Sequence, residues 1–248
     1  MTAHLSRPPI VLIAGHWLGS WAWEALLEQL SSTGLRATAL TLPGFDPHDP
    51  DRRRATLADQ AAAIRAHLAS HAGAPPRRSV IVAHSGANAP VSLFADRHPE
   101  LVERIVWVDS GPIASGSVFA PDLPEDVAEL PLPAFDELAR QASLDGLSPA
   151  DLARFRDRAV PVPGPVLRER IDLSNDARRG IATTLVCCSI PGAQVLELAR
   201  AGHPMFAETA VLADLEVVDL PTGHWPMWSR PGDLAEVIRA AASRVGGA

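Results

Sequence analysis

Six short runs of aliphatic and β-branched residues, separated by longer stretches with helical periodicity, constrain the fold of this chain more than any other feature. They are IVLIA (10–14), RATALT (36–41), SVIVA (79–83), RIVWVD (104–109), TTLVCC (183–188) and LEVVDL (215–220). Strands that alternate with helices predict an α/β fold, a mostly parallel, doubly wound sheet of about six strands joined by crossover helices. The helical stretch near 56–70 carries Leu57, Ala61, Ile64 and Leu68 as one apolar stripe, and the last helix, after RPGD, repeats the pattern with Leu234, Val237, Ile238 and Ala241. At 248 residues, 47% hydrophobic and 21% charged, the chain fits one domain, 1–248, large enough to bury a core and hold a pocket.

The alternation breaks between the fourth and fifth runs. From about 112 to 176 there is no strand-like run, only proline-rich connections (PDLPEDVAELPLPAF, VPVPGPV) and short helical patterns. Ligands bind at the carboxyl ends of the strands in open parallel sheets, so an insertion at this point is expected to form a helical lid over them. The plainer alternative is a decorative loop.

Within VIVAHSGANAP, Val80 to Ala83 read as a strand, Ser85 as a turn residue and Ala87 onward as a helix. A serine on a sharp strand-to-helix turn between small residues forms a nucleophile elbow, which lifts the hydroxyl clear of the sheet. The usual pattern is G-x-S-x-G, whereas this chain has A-H-S-G-A, with alanine at both glycine positions. The competing reading is a polar turn residue capping the next helix.

Two other stretches favour the elbow. After the first strand, AGHWLGSWAWEALLEQL turns at Gly15 and enters a helix, so the amide of His16 is expected to face the same cavity as the amide of Gly86. Two such donors form an oxyanion hole, in which one donor contributes roughly 3 kcal/mol. Near the carboxyl end, LEVVDLPTGHWPMWSRPGDLAEVI gives a strand, a turn at Gly223, and then His224, which is placed to reach Ser85 as a base.

Together these three stretches resemble the α/β-hydrolase superfamily over the whole chain and in the right order. GSWAWEALLEQL and GHWPMWSRP are most similar to its small methylesterase and hydroxynitrile-lyase-like branch. The resemblance implies Ser85 as nucleophile, His224 as general base, His16 and Gly86 as oxyanion amides, and no cofactor. The sequence departs from the family in three places. Ala14 stands where relatives often have the histidine of a His-Gly pair, and the usual amino-terminal antiparallel hairpin is expected to be missing. The third departure is the acid, which most relatives carry after the penultimate strand. Here that loop reads CCSIPGAQVLELARAGHP, and its first carboxylate, Glu197, falls inside a helical pattern. Asp109 ends the fourth strand instead, as in some members, and is preferred to Glu197 as the group that holds the histidine tautomer.

The remaining features narrow the chemistry. With 22 basic and 29 acidic residues, and a net charge of −7, neither nucleic acid nor an anionic membrane is an expected partner. The amino terminus lacks a signal-peptide pattern and no apolar run is long enough for a membrane span. Adjacent Cys187 and Cys188 would point to opposite faces of a strand, so a reduced, cytoplasmic setting is expected. No histidine pair has the spacing of a zinc site, so no metal is expected; His4 is assigned to solvent and His84 to packing beneath the elbow. Trp17, Trp225 and Trp228, with Met227, Val118 and Phe119, are expected to line an apolar pocket. The expected activity is hydrolysis of an apolar carboxylic ester or thioester through an acyl-enzyme. The fold also hosts C–C lyases, cyclases and cofactor-free oxygenases that use a His/Asp base dyad, as well as binding proteins.

Overall fold

The computed structural model describes residues 7–71 and 77–244; His4 lies outside the described residues. All six apolar runs are strands of one parallel sheet. In chain order the elements are β1 (Ile10–Ile13), α1 (Glu24–Ser32), β2 (Ala37–Leu40), α2 (Leu57–His71), β3 (Ser79–His84), α3 (Asn88–Arg97) and β4 (Val102–Val108). There follow β5 (Glu129–Leu130), α4 (Phe135–Leu138), α5 (Pro149–Arg158), β6 (Val162–Pro163) and α6 (Gly164–Arg168). The chain then returns to the sheet with β7 (Ala182–Cys187), α7 (Gly192–Arg200), β8 (Leu215–Asp219), α8 (Pro226–Ser229) and α9 (Pro231–Ser243).

Side chains alternate across each strand with period two, so each face of the sheet receives its own core. Val11, Ile13, Ile81, Ala83, Ile105 and Leu185 pack with the Leu57, Ala61, Ile64 and Leu68 stripe of α2 and with α3. Ile10, Leu12, Val80, Val82, Val106 and Val186 pack on the other face with Leu26 and Leu30 of α1 and Leu234 and Ile238 of α9. The central strands β1, β3 and β4 read as nearly continuous apolar runs because both of their faces are covered. Cys187 and Cys188 fall in opposite cores, and both are free thiols.

The strand order is β2-β1-β3-β4-β7-β8. The chain winds outward from β1 to β2 and then crosses back to begin β3 on the other side of β1. This reversal opens a crevice beyond the carboxyl ends of β1 and β3, where open α/β sheets hold their ligands. His16 follows β1 and Ser85 follows β3, so both stand at that crevice.

Residues 112–176 fall between β4 and β7 and include α4, α5 and α6. One detail corrects the expectation of a strandless insertion: β5 and β6 pair antiparallel, Glu129 opposite Pro163 and Leu130 opposite Val162. Two residues per strand are too few to leave a period in the sequence. No helix among the described residues is long and apolar enough to cross a membrane.

Candidate active site

Ser85 adopts φ +52°, a left-handed conformation that non-glycine residues rarely take and that costs on the order of 1 kcal/mol or more. The strain is held by close packing. Its carbonyl accepts from the amide of Asn88 and from the Ser110 hydroxyl at 3.1 Å. Gly15 lies against the turn so tightly that a Cβ there would sit 2.7 Å from Ser85 Cβ and 2.8 Å from the Gly86 nitrogen. Ala83 and Ala87, at the usual glycine positions, are fully buried in the core below, so the turn has room for a methyl group there.

His224 comes from the loop after β8, and the insertion fixes that loop. The Gly223 amide donates to the Asp145 carbonyl at 3.1 Å and the His224 amide to the Ser143 carbonyl at 2.8 Å. A side chain at Gly223 would lie 2.5 Å from the Asp145 oxygen, so glycine is required by this close approach. From below, buried His84 donates Nε2–H to the His224 carbonyl at 2.8 Å. The indole of Trp225 stands edge-on to the His224 ring at 4.9 Å.

The imidazole bridges two groups: Nδ1 lies 2.6 Å from Asp109 Oδ2 and Nε2 lies 2.8 Å from Ser85 Oγ. A carboxylate can only accept, so Nδ1 carries the proton, and Nε2 keeps a lone pair for the serine hydroxyl. Asp109 also has a positive φ, +44°. Its amide donates to the Val186 carbonyl, while its Oδ1 accepts from the amides of Cys188 at 3.0 Å and Ser189 at 2.9 Å. Burial pushes this carboxyl up, but the hydrogen bonds and charge of His224, with the two donors of Ser189, outweigh it and hold the pKa at about 2. The chain Asp109–His224–Ser85 is thus geometrically able to take a proton from the serine oxygen and keep the resulting imidazolium beside a carboxylate. Glu197 is exposed on α7, and the ring partners of His224 are Asp109 and Ser85 instead.

Gly86 and His16 meet directly. A Cβ on Gly86 would lie 2.5 Å from the His16 ring, so only glycine allows the two loops to close together. The buried ring is kept neutral, its pKa lowered to about 4 by burial and by neighbouring His224. Its other side meets Phe119, ring to ring at 4.4 Å.

A cavity of about 540 Å³ opens above Ser85, Gly86, Asp109 and His224. Its apolar lining comes from Ile113, Val118, Phe119, Val166 and Ile171 of the insertion and from Leu185, Val195, Met205 and Phe206 of β7 and the segments after it. The expected tryptophans are elsewhere, which corrects that part of the sequence reading. Trp17 donates its Nε1–H to the Leu130 carbonyl, and its own carbonyl accepts from Val160, so it ties the β1 loop to the insertion. Trp225, 2% exposed, packs under the histidine loop against Phe155. Trp228 stacks on Trp21 and donates to the Ala22 carbonyl. Trp225 and Trp228 pack in the core on the α1/α9 face, below the crevice. Ser189, Met205, Phe206 and Glu169 were not anticipated, because each sits in a loop or short turn where periodicity carries no signal.

The chain is similar along nearly its whole length to characterised hydrolases. It is 24% identical over 269 residues to Methylesterase 7 of Arabidopsis thaliana, spanning 96% of this chain and 98% of that protein. It is 23% identical over 256 residues to the carbendazim hydrolyzing esterase of Nocardioides sp., spanning 93% and 98%. An extracellular alpha/beta-hydrolase from a Paenibacillus species superposes with a TM-score of 0.73 at 18% identity, covering 94% of this chain and 98% of that one. The alpha/beta hydrolase family model matches residues 10–237, so this chain belongs to that family, and its full-length similarity to a methylesterase sets it near the methylesterase branch.

Proposed function

We propose that the protein is a serine esterase that cleaves the carboxylic ester or thioester of an apolar small molecule. The observation that carries this reading is the continuous hydrogen-bonded chain from Asp109 through His224 to Ser85 at the floor of an apolar cavity. In this mechanism His224 Nε2 takes the Ser85 proton as Oγ attacks the ester carbonyl. The oxyanion rests on the amides of His16 and Gly86; as the intermediate collapses and the bond to the leaving oxygen or sulfur breaks, the imidazolium protonates that atom and an alcohol or thiol departs. Water, deprotonated by His224, attacks the acyl carbonyl; the bond to Ser85 Oγ breaks, the carboxylic acid leaves, and His224 returns the proton to Oγ. The 112–176 insertion acts as a lid: it supplies part of the cavity lining and grips the His224 loop through Ser143 and Asp145. The esterase names among the relatives support the same chemistry.

A fluorophosphonate probe, followed by mapping of the labelled peptide, tests the nucleophile, and p-nitrophenyl esters of increasing acyl length test the pocket. Labelling at Ser85, with turnover abolished in Ser85→Ala, is expected. Activity that survives in a folded Ser85→Ala protein would reduce Ser85 to a hydrogen-bond donor and favour a His224/Asp109 base dyad.

A further inference from the structure

Among the described residues that line the cavity there are two carboxyl groups, Asp109 and Glu169, and no arginine. Asp109 is fully engaged, with both oxygens hydrogen-bonded to His224, Cys188 and Ser189. Glu169, at the end of α6, is engaged on one side only. Its Oε2 accepts from the amide of Leu57, the first residue of α2, at 2.7 Å. That bond places the carboxylate at a helix amino terminus and fixes its orientation. No described residue donates to Oε1, although Glu169 lines the cavity. The neighbouring arginines are committed elsewhere: Arg168 donates to the Pro124 and Val127 carbonyls, and exposed Arg170 pairs with Asp172. Neither lines the cavity.

Glu169 is half-buried at the cavity lining, and a carboxylate oxygen without a protein partner there attracts a donor and repels an anion. We infer that Glu169 determines specificity, selecting esters whose apolar body carries an N–H or ammonium group and rejecting anionic ones. The inference rests on reading this cavity as the ester-binding site beside Ser85. Glu169 is a binding residue in this scheme and takes no part in the bond-making steps.

The test uses three ketones of one shape that the enzyme cannot hydrolyse: para-(aminomethyl)acetophenone, para-(hydroxymethyl)acetophenone and para-acetylbenzoate. Their affinities are measured by calorimetry on the wild-type protein and on Glu169→Gln, which keeps an acceptor for Leu57 and removes the charge. The wild type is expected to bind the ammonium ligand roughly tenfold to a hundredfold more tightly than the carboxylate, the span of a charge-assisted hydrogen bond. In Glu169→Gln the three affinities should converge while the melting temperature is kept. Equal affinities in the wild type, or an unchanged ranking in the variant, would overturn the inference. The matching methyl benzoates separate the two readings: absent turnover with the ranking intact removes the esterase assignment and leaves Glu169 as the selector of a binding site.

Discussion

Ser189 donates to both oxygens of Asp109, its amide to Oδ1 at 2.9 Å and its hydroxyl to Oδ2 at 2.6 Å. Asp109 belongs to the end of β4 and Ser189 to the loop after β7, so the carboxylate charge lies at the β7 edge although its residue comes from the neighbouring strand. Replacing it with the amide keeps the shape and removes the charge that stabilises an imidazolium at His224. Asp109→Asn is expected to stay folded and to lose about a thousandfold to ten-thousandfold in turnover. Glu197→Gln should match wild type, because Glu197 points to solvent. Steady-state kinetics on a p-nitrophenyl ester read the ranking, and the reverse order would move the acid to α7.

Ser189→Ala removes one hydroxyl donor from Asp109, so the carboxyl should rise above its present value of about 2. A hydrogen bond to a charged group contributes about 1.5–3 kcal/mol. The Asp109 pKa is depressed on folding, so this stabilisation is present above the ordinary value of 3.8 and disappears as pH falls through about 2. The variant should therefore melt lower than wild type at neutral pH, with the gap closing in acid. Urea unfolding at several pH values measures it, and a gap independent of pH would mean that Ser189 acts through packing alone.

The fold was legible because buried strands and crossover helices both leave periods: all six runs from Ile10 to Asp219 became strands, and Leu57, Ala61, Ile64 and Leu68 all face the core. The meeting of Ser85, Asp109 and His224 was legible for a related reason: Ser85 and Asp109 directly follow β3 and β4, His224 follows β8 by a short loop, and the parallel sheet brings these strand ends to one edge. The pocket was not. Trp225 and Trp228 are close to His224 in sequence, but the turn at Gly223 sends them beneath the sheet edge, where Phe155 and Trp21 cover them. Met205 and Phe206 belong to a single turn of 3-10 helix, and Glu169 follows a five-residue helix. Segments this short take their position from tertiary contacts, which leave no pattern in the sequence.

His84 and His16 make stability depend on pH. Burial lowers His84 to about 3 and His16 to about 4, in each case with a smaller contribution from His224. Both are neutral in the folded protein, and the unfolded chain takes up protons first as pH falls below 6.5. Stability is therefore full above that value and falls as pH drops toward the folded pKa values, by roughly 1.4 kcal/mol per pH unit for each histidine. His84→Gln can still donate to the His224 carbonyl and has no charge to gain. Its melting temperature should fall less steeply than that of the wild type between about pH 6.5 and about pH 4.5. Parallel curves would show that other groups govern the acid limb.

Phe119 and Trp225 are both large aromatic residues within reach of the site, but removing them should have opposite consequences. Phe119 is 62% exposed, lines the cavity and touches His16 edge to face. It therefore has little buried area to lose, and its ring meets whatever occupies the mouth of the cavity. Phe119→Ala should change stability by no more than about 1 kcal/mol while shifting the preferred acyl length. Trp225 is 2% exposed and braces His224 from below. Trp225→Ala should lose about 3–5 kcal/mol through the cavity it leaves, and turnover should fall for all acyl lengths alike as the histidine loop loosens. Denaturant unfolding and a chain-length series on both variants separate these outcomes. A shift of acyl preference in Trp225→Ala but not in Phe119→Ala would place the binding site under the histidine loop instead of beneath the insertion.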